Sequence, residues 1–159
     1  MTVDTSADSS NGPRLALHEW DDAPDVQAKV VRYKRPEVTR SRHVMKLGRT
    51  AALMVNLQFI TEGGESTLHA HPNMDGWWFV LKGRARFYTT DDEVVADLGP
   101  HDGILIPRDY PYWFESSSDE ELELLQVEAF KEGEPVKTLR YGKDDESVEW
   151  SSTTKPDKP

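Results

Sequence analysis

Gly63-Gly64-Glu65-Ser66-Thr67-Leu68-His69-Ala70-His71-Pro72 is the stretch on which the reading of this chain turns. A glycine pair opens it and a proline closes it, the punctuation of a short strand entered from a turn. Successive side chains of a strand point to opposite faces, so Thr67, His69 and His71 share one. Two imidazoles so placed can converge on one metal ion or one organic ligand, or form a hydrogen-bonded polar pair on an exposed face. The glycine pair feeds a strand rather than a helix, so it carries no phosphate-binding argument.

Working outward, the same grammar repeats. β-Branched and aromatic residues recur in runs bounded by Gly, Pro and Asp, and helical periodicity is hard to find. Strands are predicted at Gln27 to Tyr33, Ala51 to Ile60, Ser66 to His71, Trp77 to Leu81, Arg84 to Thr89, Val94 to Leu98, Gly103 to Ile106, Tyr112 to Glu115 and Glu121 to Phe130. Lys82-Gly83 and Asp91-Asp92 supply turns between neighbours. Many short strands at this spacing indicate an all-β sandwich or small barrel, not a βαβ array.

Two of these strands alternate legibly. In Leu53 to Phe59 the odd positions form an apolar face, while the even ones include Asn56 and Gln58. In Leu122 to Phe130 both faces are partly apolar, with Gln126 and Glu128 on one of them. Polar residues in such strands either face water or line a polar cavity, and solvent exposure is the simpler expectation.

Composition bounds the rest. The chain has 159 residues with a net charge of -10 and no cysteine, which fits one domain and excludes disulfides, thiolate metal sites and cysteine nucleophiles. That acidity argues against nucleic acid as a partner, because phosphate contacts need clustered Lys and Arg. The longest apolar runs are too short to span a bilayer, and the first residues lack a secretory signal, so a soluble cytoplasmic protein is expected. Residues 1–13 and 143–159 are polar, each with net charge -2, and are expected to be flexible ends flanking a domain at 14–142.

With these motifs in view, the chain resembles the cupin superfamily, whose members are single jelly-roll β-barrels. The family's first motif runs from a Gly through His-x-His and a Glu to a second Gly; Gly63, His69-Ala70-His71 and Gly83, after Trp78-Phe79-Val80-Leu81-Lys82, are similar to it. Gly99-Pro100-His101-Asp102-Gly103-Ile104-Leu105-Ile106-Pro107 is similar to the opening half of the second motif. The likeness covers residues 51–130.

Its departures bear on function. The resemblance implies a four-ligand metal site, yet the Glu position holds Gly76, the last His position holds Tyr112, and the glycine of the family's Pro-x-Gly is Asp109. His69 and His71 remain, with Asp75 as a substitute carboxylate provided that a bulge at Asp75-Gly76 turns it inward. A divalent Fe, Mn, Ni or Zn ion on His69 and His71, with Asp75 or Tyr112 and water completing the shell, is therefore one expectation. Proton transfer by His69, His71 and Tyr112 without metal is the other. Asn56, Gln58, Trp78 and Phe114 are expected pocket walls for a ring-containing ligand. Arg84, Arg86 and Arg108 could recognise a carboxylate or phosphate at the rim, and surface ion pairing is the simpler expectation for each.

The resemblance thus implies a small-molecule enzyme of isomerase, cyclase or lyase type acting on a sugar-like or polyketide-like intermediate. A non-catalytic small-molecule-binding barrel and a metal-dependent dioxygenase are the alternatives. It also implies a homodimer paired through outer strands, with Val30-Val31 or Leu122-Glu123-Leu124-Leu125 adding to the edge.

Overall fold

A computed structural model describes residues 28–131, 137–141 and, for the backbone, 147–150. The expected loose ends fall outside these residues, apart from Ser147–Trp150. The described residues form eleven strands: β1 Arg42–Arg49, β2 Leu53–Ile60, β3 His69–Ala70, β4 Met74–Lys82, β5 Ala85–Tyr88, β6 Val94–Leu98, β7 Gly103–Ile106, β8 Trp113–Ser116, β9 Leu122–Phe130, β10 Thr138–Tyr141 and β11 Ser147–Trp150. One sheet has the order β1-β2-β9-β4-β7, and two three-stranded sheets have the orders β11-β10-β3 and β6-β5-β8. An antiparallel bridge between His69 and Tyr112 joins the latter two. All pairings are antiparallel, and the fold is the expected all-β jelly roll.

The core forms where the sheets face each other. On β4 and β9 alternate residues are buried, so Trp78, Val80, Leu122 and Leu124 meet Phe87 and Phe114 from the other side. Burying each of these side chains contributes about 1.5–3 kcal/mol before the entropy of ordering is subtracted. Gly83 closes the β4–β5 turn with φ +75°, and a Cβ there would lie 2.7 Å from the Glu121 carbonyl oxygen. Both facts demand glycine.

Several expectations need correction. No strand forms over Ala28–Tyr33; the segment is irregular, and Tyr33 stacks on Phe59 at 6.5 Å while Arg35 pairs with Glu121 and Glu123. It therefore covers the outer face of β2, where Phe59 is fully buried. Asn56 and Gln58 lie on the opposite, inward face and are buried as well. The polar face of β2 thus turns to the interior rather than to water. β9 lies between β2 and β4, so Leu122–Leu125 cannot add to a dimer edge: its backbone groups are already paired on both sides. β1 and β10 were not anticipated, and both matter for the site.

Candidate functional site

A cavity of about 350 Å³ opens between the sheets. Its floor comes from the long sheet and its wall from the strand that carries the two histidines. Thr67, His69 and His71 all line it, as the alternation in that stretch predicts. Backbone pairing explains the placement. The His69 amide donates to the Tyr112 carbonyl at 3.0 Å and the Tyr112 amide returns the bond at 2.8 Å. A second lock lies three residues upstream, where Ser66 Oγ accepts from the Phe114 amide at 2.9 Å. On the other side β10 sets Arg140 opposite His69. Arg140, His69 and Tyr112 therefore stand in one row across three adjacent segments.

The imidazoles are oriented by main chain. His69 Nδ1 donates to the Thr67 carbonyl at 2.6 Å, and His71 Nδ1 donates to the Lys137 carbonyl at 3.1 Å with Thr138 Oγ1 beside it at 3.3 Å. A carbonyl can only accept, so each neutral ring carries its proton on Nδ1 and keeps its Nε2 lone pair unused among the described residues. The rings meet edge to face, 5.0 Å between centroids, with Tyr112 4.4 Å from His69. Burial lowers both imidazoles, His69 to about 4, to which the His71 ring and then the Arg140 and Arg42 charges add. They are neutral at pH 7. Burial, reinforced by Glu128, pushes the Tyr112 phenol well up, so it is an un-ionised hydrogen-bonding group.

Opposite them runs a polar chain. Arg42, at the start of β1, donates through Nε and Nη2 to Gln58 Oε1 at 3.1 and 2.7 Å. Gln58 Nε2 donates to Gln126 Oε1 at 2.5 Å, and Gln126 Nε2 donates to Glu128 Oε1 at 2.6 Å. Every bond points from the guanidinium toward the carboxyl, which fixes both amide orientations. Glu128 is buried and its Oε2 has no partner among the described residues. Burial, opposed by Arg49, raises its carboxyl to about 7.

The residues singled out in the sequence divide accordingly. His69, His71, Tyr112, Gln58 and Phe114 line the cavity. Asn56 and Trp78 do not: Trp78 packs in the core behind Tyr112, its ring 5.0 Å from the phenol ring. Asp75 is also elsewhere. The β4–β9 register runs Met74, Asp75, Gly76 against Phe130, Ala129, Glu128 without interruption, so no bulge turns Asp75 inward. It accepts from the Arg108 amide at 2.9 Å and from its guanidinium, and these bonds lower its carboxyl. Arg84 and Arg86 pair with Asp97 on the surface, as expected.

Gln126 and Glu128, expected to face water, are buried cavity residues, and Arg42 and Arg140 were missed. The alternation in β9 carried the signal for the first two; the arginines lie on strands with no clear pattern.

The donor set does not fit the family's metal. Among the described residues no group of three or more His, Cys, Asp or Glu side chains is placed to hold an ion. The space of the missing carboxylate is filled instead: a Cβ on Gly76 would lie 2.1 Å from two ring carbons of Trp78. The third and fourth positions thus hold an indole and an un-ionised phenol, neither a ligand for a divalent cation at neutral pH.

An antiparallel barrel with paired imidazoles on an inward strand defines a class of small-molecule-binding β-barrels, binders and enzymes alike. The cupin domain family matches residues 56–128, which supports membership of the cupin superfamily. Similar solved structures include KdgF from Halomonas sp., at 15% identity and TM-score 0.56, covering 67% of this chain and 97% of that one. A cupin superfamily protein from Desulfitobacterium hafniense has 18% identity and TM-score 0.53, covering 67% of this chain and 99% of that one. An RmlC-like cupin from Desulfovibrio desulfuricans has 16% identity and TM-score 0.54, covering 64% and 97%. At these identities the likeness is one of fold. No curated protein matches the chain. Among the described residues no helix is long and apolar enough to cross a membrane.

Proposed function

We propose that this cupin is an enzyme of isomerase or lyase type that moves protons on a small oxygenated carbonyl compound, such as a sugar-like or polyketide-like intermediate. One observation carries the reading: two neutral imidazoles with free Nε2 atoms share a cavity with a buried carboxyl whose Oε2 is also unpartnered among the described residues. Such a pairing supplies a base and an acid within one water-poor volume.

In the forward step an imidazole Nε2 takes a proton from carbon next to the carbonyl. The electron pair moves to the carbonyl oxygen, which is protonated by Glu128 or hydrogen-bonded by Tyr112. In an isomerisation the imidazolium delivers its proton to the former carbonyl carbon while the adjacent hydroxyl gives its proton to the Glu128 carboxylate. In an elimination the imidazolium protonates the departing β-hydroxyl, which leaves as water, and the enol proton returns to Glu128. The Nδ1 bonds to Thr67 and Lys137 hold the rings in place throughout. Gln126 keeps the carboxyl aimed.

Deuterium exchange tests the chemistry directly, whichever compound is the substrate. Incubation in D2O with a panel of oxo-acids and oxo-sugars, followed by proton NMR, should reveal exchange of the hydrogens next to a carbonyl. His69→Gln and His71→Gln should lower the exchange rate ~10²-fold or more, and Tyr112→Phe by less. Saturable ligand binding with no exchange in any compound would favour a non-catalytic binding cupin.

A further inference from the structure

One cavity feature lies outside the acid–base reading: its two arginines. Arg42 is half-buried, its Nε and Nη2 held by a neutral amide oxygen and its guanidinium carbon 5.3 Å over the Phe114 ring. No carboxylate pairs with it among the described residues. Arg140 enters from the opposite sheet, where Nη1 donates to Thr67 Oγ1 at 3.1 Å, and it lines the same cavity.

A half-buried guanidinium without a counter-charge is costly, because desolvation removes part of its hydration and two bonds to one neutral amide oxygen replace it only in part. A second guanidinium in the same cavity adds repulsion: burial lowers the pKa of Arg42, Tyr112 opposes that, and the Arg140 charge lowers it again. Both charges act on His69 as well. Among the described residues neither acidic group of the cavity forms an ion pair with Arg42. Glu128 lies at the far end of the amide chain, and Glu65 is exposed at the surface. The chain has an overall charge of -10, yet here it gathers positive charge around a void.

We propose that Arg42 and Arg140 form an anion subsite in the cavity, and that the ligand is a small oxygenated carboxylate whose charged end lies between the two guanidinium groups. The assignment rests on reading this cavity as the ligand site and adds the charge of the ligand to it. With the carboxylate at Arg42 and Arg140, the hydroxyl- or carbonyl-bearing carbons extend toward His69, His71 and the Glu128 carboxyl. Planar guanidinium forks suit a carboxylate particularly well, since two parallel N–H groups match its two oxygens. The volume of about 350 Å³ suits a ligand of sugar-acid size.

D-Gluconate and D-glucitol make the test, since they share a polyol chain and differ in the carboxylate. Calorimetric titration of the full chain should show saturable gluconate binding and glucitol binding at least ~10-fold weaker. Arg140→Met, on a less buried side chain, should lose ~10-fold in gluconate affinity, and Arg42→Lys should lose several-fold while keeping the charge. Equal binding of both polyols, or unchanged gluconate affinity in both variants, overturns the subsite. So does absence of saturable gluconate binding up to ~50 mM, since a two-guanidinium site is expected to bind more tightly. Thermal melts of the variants separate lost binding from lost folding. Failure of the acid–base reading is a different result: gluconate bound through the arginines, with no deuterium exchange in any carbonyl compound, sinks that reading and leaves the subsite standing.

Discussion

The indole of Trp78 occupies the space into which a side chain at Gly76 would project, with two ring carbons 2.1 Å from where its Cβ would be. Gly76 stands where the cupin likeness calls for a carboxylate ligand, and the ring two residues along the same strand fills the gap. The same packing thus lacks a ligand at this position and fills its space. Across the β4–β9 register Gly76 faces Glu128, so a carboxyl persists in this row of the barrel, displaced by one strand.

Gly76→Ala should therefore be destabilising by ~1–3 kcal/mol, because overpacking a closed core forces the ring off its rotamer. Combining it with Trp78→Leu removes the clash, and urea denaturation of the four species of the cycle should give a favourable coupling. Additive losses would show that the ring does not define the constraint.

Glu128 and His69 impose opposite pH dependences on stability. His69 is lowered to about 4 from 6.5. The folded chain therefore binds fewer protons between those values, and the His69 contribution is complete above 6.5 and lost as pH falls toward 4. Glu128 is raised to about 7 from 4.5, so its contribution is present below 4.5 and lost as pH rises through 7. Between 4.5 and 6.5 the two oppose each other, and these groups leave the native stability nearly flat. Glu128→Gln removes only the second. The variant should gain stability with pH across this window and exceed the native chain at about pH 8 by on the order of 1–3 kcal/mol. Urea midpoints at several pH values measure it; an advantage no greater at pH 8 than at pH 5 would contradict the Glu128 assignment.

Asp75→Ala should do little. The carboxylate and its Arg108 partner are both more than a third exposed, and an exposed ion pair is worth at most ~1 kcal/mol. Deuterium exchange and gluconate affinity should match those of the native chain, whereas a large loss of either would place Asp75 in the site after all.

His101 sits at φ +73° in the turn before β7, and Asp109 at φ +64° holds the position where the family has glycine. The left-handed backbone is kept at Asp109 although the glycine is not. His101 is exposed, and its backbone amide bond to the Val80 carbonyl at 2.8 Å survives substitution. His101→Gly should raise stability by about 0.5–1 kcal/mol, readable as a higher melting temperature.

What the sequence determined by itself was the barrel and the pairing of its histidines. Strand alternation has a period of two residues, so Thr67, His69 and His71 had to share a face whatever that face met. The turn residues around Gly63, Gly83 and Gly99 set the spacing of the hairpins.

Tertiary structure alone decided which side of each strand faces inward. Alternation separates two faces without naming the buried one, and the expected answer was reversed for Gln126 and Glu128. They face the cavity, where a chain of amides from Arg42 reaches Glu128 Oε1 and leaves its Oε2 without a partner among the described residues. Arg42 and Arg140 were illegible for a related reason: their strands are short or mixed in pattern, and they reach the histidines only through pairings with β2 and β3. The fate of the metal position was decided there too. Gly76 in the sequence is a missing ligand, but only packing reveals that an indole has taken its volume, since side-chain contact depends on direction in space and not on distance along the chain.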